Sequence, residues 1–338
     1  MKTSTSHTLL VLPDHTAKPI IDAIDAAKTI VRVKMFLFSD PDLVKAVVRA
    51  QKRGVDVRVM LNPARRSGES VNAPTHKKLS DAGITVLDTS PAFDVTHEKS
   101  MVVDEDAAFV QSLNWETRNL TETRDFAVIT REPAEVAEVT ACFDADWARK
   151  PFVVNDKTLL IWCNANGRER IAQFIDDTKE SLLLQNERYQ DPVIIERLVR
   201  AAMRGVKIHL LARPPHKIKK EKLIEAVGGL RILADVGVKV HKLQHLKLHG
   251  KMLLGDGTRA IIGSINLAPG SFDSRRELAI ETNQPAVIEP LSKMSHHDWK
   301  HSSLLDLSDK GLAAEMESHD IDASQTLALN TGAKRNKK

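Results

Sequence analysis

Aromatic residues, cysteines and long apolar runs are scarce in this 338-residue chain. Phe, Trp and Tyr together make up 4% of the residues, which is few for a protein that grips single-stranded nucleic acid by base stacking. The two cysteines, Cys142 and Cys163, form no disulfide framework and lack metal-ligand spacing, so we expect buried free thiols. No run approaches the length of a membrane-spanning helix, and the apolar stretch LLVL near the N-terminus is too short for a signal peptide. These absences predict a protein that is cytoplasmic and has no transmembrane segment.

The bulk composition is that of a globular protein. Charged residues make up 28% of the chain and hydrophobic residues 42%. The net charge is +4, a mild excess that favours anionic partners without choosing among them. The length suffices for two domains of ordinary size.

One pattern occurs twice at a constant offset. The segment KLHGKMLLGDGTRAIIGSIN, residues 247–266, has the spacing H-x-K-x4-D-x6-G-S-x-N, and THEKSMVVDEDAAFVQSLN, residues 96–114, repeats it 152 residues earlier. Further downstream, Asp125 matches Glu277 at the same offset. Five positions in register make chance an unsatisfactory explanation. We therefore predict a duplicated domain, with a first copy over residues 1–150, a second over 151–306 and a polar, disordered tail over 307–338.

The flanking segments repeat as well. Asp-Pro at residues 40–41 recurs at 191–192, and Arg-Gly-Val at 53–55 recurs at 204–206. Each copy alternates amphipathic helices with short apolar runs, which argues for an α/β layer architecture. The motif segments are predicted to form strands paired as hairpins. On one strand, His and Lys two residues apart would share a face, as would the following Ser and Asn.

The doubled H-x-K-x4-D pattern resembles the phospholipase D superfamily, in which two such motifs meet in one active site. The resemblance covers roughly residues 20–305 and implies two α/β/α sandwich domains with mixed sheets around a shared pseudo-two-fold active site. It also implies a two-step displacement at a phosphodiester, with no cofactor. The candidate catalytic residues are His97, Lys99, Asp104, Asn114, Asp125, His249, Lys251, Asp256, Asn266 and Glu277.

These residue types suit that reaction. A neutral imidazole can attack phosphorus to form a phosphohistidine, while a second, protonated imidazole donates to the leaving alkoxide. The lysines and asparagines would stabilise charge on the non-bridging oxygens. The family's usual assignment makes His97 the nucleophile and His249 the acid.

The acids have different predicted roles. By the resemblance, Asp125 and Glu277 orient the two imidazoles. Asp104 and Asp256 lie at odd spacing from the histidines, so we expect them to face away from the substrate and to be structural.

The G-S pair is predicted to line the substrate pocket, and it differs between the copies. Ser112 and Ser264 match, but Gln111 stands where the second copy has Gly263. A larger side chain there would crowd the first half of the pocket or add a hydrogen-bonding group. Basic residues at 65–66 and from Arg213 to Lys222 would flank the mouth of the site, or form a solvated charged face.

The motifs leave the substrate open. The first hypothesis is hydrolysis of a phospholipid to phosphatidate and free headgroup, or transfer of the phosphatidyl group, by a monomer at the inner membrane surface. The alternatives are a cardiolipin synthase-like phosphatidyltransferase and a metal-independent endonuclease acting on nucleic acid. A non-catalytic binding module is disfavoured because His and Lys are intact in both copies. No metal is predicted, since charged lysine is a poor ligand.

Overall fold

A computed structural model describes residues 6–64, 68–155, 157–215 and 220–315, the last range without the side chains of 220–224. Helices and strands alternate along the chain as the sequence predicts. In chain order the elements are β1 (His7–Leu12), α1 (Lys18–Ala26), β2 (Ile30–Met35), α2 (Pro41–Lys52), β3 (Asp56–Leu61), α3 (Ala73–Asp81), β4 (Thr85–Asp88), β5 (Val95–Thr96), β6 (Lys99–Val103), β7 (Ala107–Gln111), α4 (Thr117–Thr121), β8 (Thr123–Thr130), α5 (Pro133–Trp147), β9 (Leu160–Trp162), α6 (Gly167–Asp177), β10 (Ser181–Asn186), α7 (Pro192–Met203), β11 (Lys207–Ala212), α8 (Lys220–Asp235), β12 (Lys239–Leu243), β13 (Lys247–Leu248), β14 (Met252–Gly255), β15 (Arg259–Gly263), α9 (Pro269–Asp273), β16 (Arg275–Arg276), β17 (Leu278–Thr282), α10 (Pro285–Lys300) and β18 (Ser302–Leu304).

Two mixed sheets form the frame of the molecule. The first has the strand order β1-β8-β7-β6-β2-β3-β4, and the second has the order β18-β12-β11-β10-β14-β15-β17-β9. In each sheet the strands that follow one another through helices are parallel, β2-β3-β4 and β10-β11-β12, while the motif hairpins β6-β7 and β14-β15 are antiparallel. This arrangement confirms the duplicated α/β architecture and the predicted hairpins.

The repeated dipeptides define equivalent helices. Asp40 caps α2 by accepting from the backbone N–H of Asp42 and Leu43, and Asp191 caps α7 in the same way. Just after each helix, Gly54 at φ +89° and Gly205 at φ +91° occupy the left-handed region that glycine adopts without strain. The sequence repeat therefore sets where both helices begin and end.

A third apolar cluster joins the halves. It combines first-sheet residues such as Phe126 and Val128 with second-sheet residues such as Leu254 and Ile280, and with side chains of α5 and α10. Each sheet also has its own cluster on its other face. The inner faces of the two sheets thus share one core, which fixes the halves against each other.

The chain remains ordered beyond the predicted start of the tail. Residues 309–315 are helical, Leu312 is fully buried, and Arg231 donates to the carbonyl of Leu307 at 2.9 Å. The prediction of disorder from residue 307 is therefore wrong for 307–315, and residues 316–338 lie outside the described part.

Cys142 and Cys163 are buried free thiols, as predicted. None of the helices in the described ranges is both long enough and apolar enough to cross a membrane.

Candidate active site

The two motif histidines lie where the chain passes from one half to the other. Strand β5, just before His97, pairs with β16 of the second half, whereas β6, just after it, belongs to the first sheet. Strand β13, before His249, pairs with β8 of the first half, and β14 belongs to the second sheet. The expected continuous strand through His and Lys is therefore wrong, because the strand breaks at each histidine. Each lysine still lies beside its histidine, since Lys99 and Lys251 donate to the carbonyls of His97 and His249.

Each histidine is held by a carboxylate from the opposite half. The Nδ1 atom of His97 lies 2.8 Å from Oε2 of Glu277, and Nδ1 of His249 lies 2.8 Å from Oδ1 of Asp125. Both carboxylates are fully buried. A carboxylate on Nδ1 fixes the ring and leaves Nε2 for chemistry. The structure thus places each acid that the resemblance implied beside the histidine of the other copy.

His97 lies among groups that disfavour its charged form. Burial lowers the pKa of His97 well below its usual range, and the ammonium groups of Lys99 and Lys251 lower it further. The ring of Phe36 lies edge-on to the imidazole, with 4.9 Å between centroids. At neutral pH, His97 is therefore a neutral imidazole with a lone pair available on Nε2.

His249 lies between two carboxylates instead. Burial alone would raise the pKa of Asp125, but the charge of His249 and its hydrogen bond lower it overall. On the other side of the ring, Oε2 of Glu187 lies 3.9 Å from Nε2 of His249. A carboxylate therefore lies near each of the two ring nitrogens of His249.

Glu187 is a site residue that the motif analysis missed. Its Oε2 accepts from Nζ of Lys251 at 2.7 Å, and its Oε1 accepts from Arg213 at 2.6 Å. Burial would raise the pKa of Glu187, but Lys251, His249 and Arg213 hold it well below its usual range. A comparison of the two copies could have found this residue, because Glu187 stands at the position of Phe36 with the repeat offset of 151 residues.

The lysines are deeply buried, with 1% of Lys99 and 2% of Lys251 exposed. Burial lowers the pKa of Lys99 well below its usual range, and the charge of Lys251 adds to the effect. An anion placed between the two ammonium groups would relieve their repulsion. The pair is therefore suited to bind the non-bridging oxygens of a phosphodiester.

The serines contact the strands that carry the acids. The hydroxyl of Ser112 donates to Oδ1 of Asp125 at 2.6 Å and accepts from the backbone of Phe126 at 2.8 Å. Ser264 bonds to the backbone of Leu278, the residue after Glu277. The hydroxyl of Ser112 therefore positions Asp125, and that of Ser264 holds the backbone beside Glu277. That the two serines bind substrate stays a prediction.

The pair of positions before the serines also differs from expectation. A Cβ atom on Gly263 would lie 2.3 Å from the carbonyl oxygen of Leu278, so glycine is required there by the close approach of β17. Gln111 is fully buried, and its carbonyl accepts from the indole of Trp115 at 3.1 Å. Gly263 is thus a packing residue, and Gln111 supports Trp115 in the first core cluster.

The asparagines are buried beside the motif loops. Asn114 and Asn266 are 4% and 3% exposed, and their carbonyl oxygens have no hydrogen-bond partner among the described residues. The amide of Asn114 donates to Asn119 over 3.4 Å, a long bond that a better acceptor could replace.

The motif aspartates lie at the opposite ends of β6 and β14 from the histidines. Oδ1 of Asp104 accepts from the backbone N–H of Thr29 at 2.8 Å, and Oδ1 of Asp256 accepts from that of Glu180 at 2.8 Å. Each carboxylate also bonds to the residues on either side of these. Their inclusion in the candidate catalytic set is therefore wrong, and their predicted structural role fits the geometry.

Two further predictions concern charged side chains. Of the basic clusters, Arg213 contacts Glu187 within the site, whereas residues 65–66 and 216–219 lie outside the described part. Among the described residues, Glu98, Cys142 and Asp146 bring potential metal-ligand atoms together. Lys34 already binds both carboxylates there, at 3.1 and 2.8 Å, so this cluster is an internal ion-pair network.

Comparison with known proteins identifies the family of the chain. The family model described as "Cardiolipin synthase, PLD-like domain" matches residues 20–147 and 171–299. The chain belongs to this family, and the resemblance to the phospholipase D superfamily is confirmed.

Individual relatives differ in the reaction that their names state. Polyphosphate kinase 1 of Chlorobaculum tepidum is 24% identical over 85% of this chain, which spans 43% of that protein. Cardiolipin synthase A of Pseudomonas putida is 26% identical over 87% of this chain and 68% of that protein. The phosphatidylserine synthase of Haemophilus influenzae superposes with a TM-score of 0.71 at 11% identity, covering 96% of this chain and 95% of that one, and this likeness shows the fold.

Proposed function

We propose that this protein transfers the phosphatidyl group of a phospholipid, through a covalent phosphohistidine, to water or to an alcohol. The observation that carries the proposal is the crossed pairing of the histidines. With Glu277 on Nδ1 of His97 and Asp125 on Nδ1 of His249, two Nε2 atoms are left to act on one phosphodiester. A site of this kind needs one histidine as the nucleophile and the other as the acid. The unlike charges around the two rings support this division of roles.

In the first step, the lone pair on Nε2 of His97 attacks phosphorus. The bond from phosphorus to the headgroup oxygen breaks, and the proton on Nε2 of His249 passes to that oxygen. Lys99 and Lys251 bind the non-bridging oxygens, joined by the amides of Asn114 and Asn266.

In the second step, the now neutral His249 removes a proton from the incoming hydroxyl. The oxygen attacks phosphorus, the bond to Nε2 of His97 breaks, and both histidines return to their starting states. Whether the product is phosphatidate or a new phospholipid depends only on which hydroxyl enters.

Transfer to an alcohol is supported at least as well as hydrolysis. Two similar proteins are by name a cardiolipin synthase and a phosphatidylserine synthase. A phospholipid substrate would bring the protein to a membrane surface as a peripheral enzyme, and both motifs in one chain favour a monomer. Its cytoplasmic location stays a prediction.

The deciding experiment is a paired assay in EDTA. Purified protein is given mixed phospholipid vesicles with glycerol in one tube, and plasmid with single-stranded DNA in another. We expect headgroup release and a new phosphatidyl product without added metal. His249→Ala should lose at least about 100-fold of this activity, in line with the worth of general acid catalysis.

A neighbouring histidine gives a matched control. His245 is exposed and lies four residues before the motif histidine, so His245→Ala should turn over lipid as the wild type does. DNA cleavage without lipid turnover would instead identify a nuclease. Activity that returns only with a divalent metal would refute the metal-independent mechanism.

A further inference from the structure

The two halves of the site differ most at one pair of equivalent positions. Strands β2 and β10 occupy matching places in their sheets, and the residue after each strand faces the site: Phe36 in the first half and Glu187 in the second. Phe36 lies under Lys99, whose Nζ is 5.1 Å from the ring centroid. The residues after the neighbouring strands β3 and β11 differ in parallel, being Asn62 and Arg213. At these two positions the second half therefore carries a carboxylate paired with an arginine, where the first half has Phe36 and Asn62.

Glu187 is held in one position by three groups. Lys251 and Arg213 bond to its two oxygens at 2.7 and 2.6 Å, and its Oε2 lies 3.9 Å from Nε2 of His249. The side chain is 12% exposed, so a part of it is accessible from outside the protein. The nearby cations keep the carboxylate ionised.

An ionised carboxylate is a poor neighbour for a phosphodiester. It repels the non-bridging oxygens, and it can accept hydrogen bonds but not donate them. Each carboxylate oxygen has the lone pairs to accept a second hydrogen bond beyond the one from Lys251 or Arg213. The open acceptor sites of Glu187 therefore suit a ligand group that donates, such as a hydroxyl, beside the histidine that handles protons.

The spacing of the two atoms defines the group that fits. One oxygen atom can lie within ordinary hydrogen-bond distance, about 2.8 Å, of both Nε2 of His249 and Oε2 of Glu187. A water molecule in that place can donate one O–H group to His249 and the other to Glu187. A monohydric alcohol has only one, and giving it to His249 leaves no donor for the further hydrogen bond that Oε2 of Glu187 can accept beside the one from Lys251. A 1,2-diol supplies the second donor through its neighbouring hydroxyl.

We propose that Glu187 selects the incoming nucleophile by accepting a hydrogen bond from a second O–H group, so that water and 1,2-diols such as a glycerol moiety react in preference to monohydric alcohols. This inference rests on the proposed function. One O–H proton passes to Nε2 of His249 as the oxygen attacks phosphorus and the bond to His97 breaks. The second O–H group stays intact and bonded to Glu187, so its proton is not transferred.

A competition between two alcohols tests the proposal. Phosphatidylcholine vesicles are supplied with equal concentrations of 1-propanol and 1,2-propanediol, which differ by one hydroxyl, and phosphatidate and both phosphatidyl alcohols are quantified. All three products arise from the same phosphohistidine, so their ratio is independent of the rate of its formation. For the wild type we expect the diol product to exceed the propanol product on the order of tenfold, the worth of one hydrogen bond to a charged group.

The variant Glu187→Phe copies the first half of the site and should bring that ratio close to one, with a smaller share of phosphatidate. Glu187→Gln is the second variant if the phenylalanine protein does not fold, and should lower the ratio in the same direction. A wild-type ratio near one would overturn the proposal even if neither variant forms product. An unchanged ratio in an active variant would overturn it too.

The outcome separates the two levels of inference. Choline release with an unselective ratio overturns the role of Glu187 and leaves the proposed function intact. If the wild type releases no choline and forms no phosphatidyl product, the proposed function fails, and the selection of the nucleophile fails with it.

Discussion

His97 and His249 occupy equivalent positions but have unlike neighbours. His97 lies beside Phe36 and two ammonium groups, whereas His249 lies between Asp125 and Glu187. Equivalent residues thus have different charges around them. The doubled motif predicts two histidines at one phosphorus, and in the proposed mechanism the differences between the copies decide which one attacks.

The protonation state of His97 gives a testable pH dependence. Because burial and the nearby lysines lower the pKa of His97, this proposed nucleophile becomes protonated only below the usual range of about 6.5. We therefore expect the acid limb of kcat/KM to lie below pH ~6.5. The unfolded chain binds this proton first, so His97 also makes the fold less stable as the pH falls from about 6.5. An NMR titration of the imidazole checks the assignment, and a limb at or above pH ~6.5 would contradict it.

The two orienting acids should respond differently to the leaving group. Asp125→Asn weakens the support of His249, the proposed proton donor, and should lower activity about 10- to 100-fold with a choline headgroup. It should cost much less with a p-nitrophenyl phosphodiester, whose leaving group needs no proton. Glu277→Gln disturbs the nucleophile and should slow both substrates alike. Values of kcat/KM for the two substrates make the comparison, because they report the steps up to the loss of the leaving group and not the second step, in which His249 acts as a base with either substrate.

Another buried pair supplies the control for these variants. Nε2 of His7 lies 2.8 Å from Oε2 of Glu135, away from the motifs. Glu135→Gln should leave the ratio of the two rates unchanged. Equal losses on both substrates for Asp125→Asn would remove His249 from the acid role.

The sequence could predict most of the site residues but not which of them contact one another. Asp125 and Glu277 follow from the motif, yet a constant offset relates each residue to its copy and says nothing of contacts between copies. Glu187 was missed for a physical reason. A search for repeats selects residues that the halves share, and Glu187 stands at a position where the halves differ.

At the scale of secondary structure elements, the aspartates of the motif join strand to strand. Asp104 follows β6 and accepts three backbone N–H groups at the start of β2, and Asp256 does the same between β14 and β10. Both residues have φ near +52°. Helices, hairpins and this structural role were predictable from spacing. The break at each histidine was not, because it arises when β5 and β13 pair with distant strands.

Replacing the motif aspartates, Asp104 and Asp256, should lower the stability of the fold and leave catalysis unchanged. Asp104→Ala leaves three backbone donors without a partner and should lower the free energy of unfolding by about 1–2 kcal/mol. Its backbone bonds lower the pKa of Asp104 although burial opposes them, so this stabilisation is present above about pH 4 and disappears as the pH falls further. Urea unfolding at two pH values measures it. Asp256→Ala should behave alike, and a loss of kcat in folded protein would contradict the structural role.

The whole molecule is tied together by ion pairs that cross the pseudo-two-fold axis. Arg124 of the first half donates to Asp298 at 2.9 and 3.0 Å, and Arg276 of the second donates to Asp146 at 2.9 and 3.2 Å. Each arginine precedes the acid that holds a histidine of the other half. The geometry of the site is therefore fixed by these ion pairs, by the shared core cluster, and by β5 and β13, which pair with strands of the opposite half. We expect the halves to unfold as one unit.

Breaking one crossing pair tests that unity. Arg124→Met leaves Asp298 buried and without its cation, which should cost about 3–5 kcal/mol and lower Tm by several degrees. Because the halves share a core, calorimetry should show one transition that moves as a whole, and kcat should fall since Asp125 is displaced. Arg49 pairs with Asp25 at an exposed position, so Arg49→Met should cost less than about 1 kcal/mol. Two transitions, of which only one moves, would mean that the halves are independent and that the crossed pairing of histidines and acids does not hold them together.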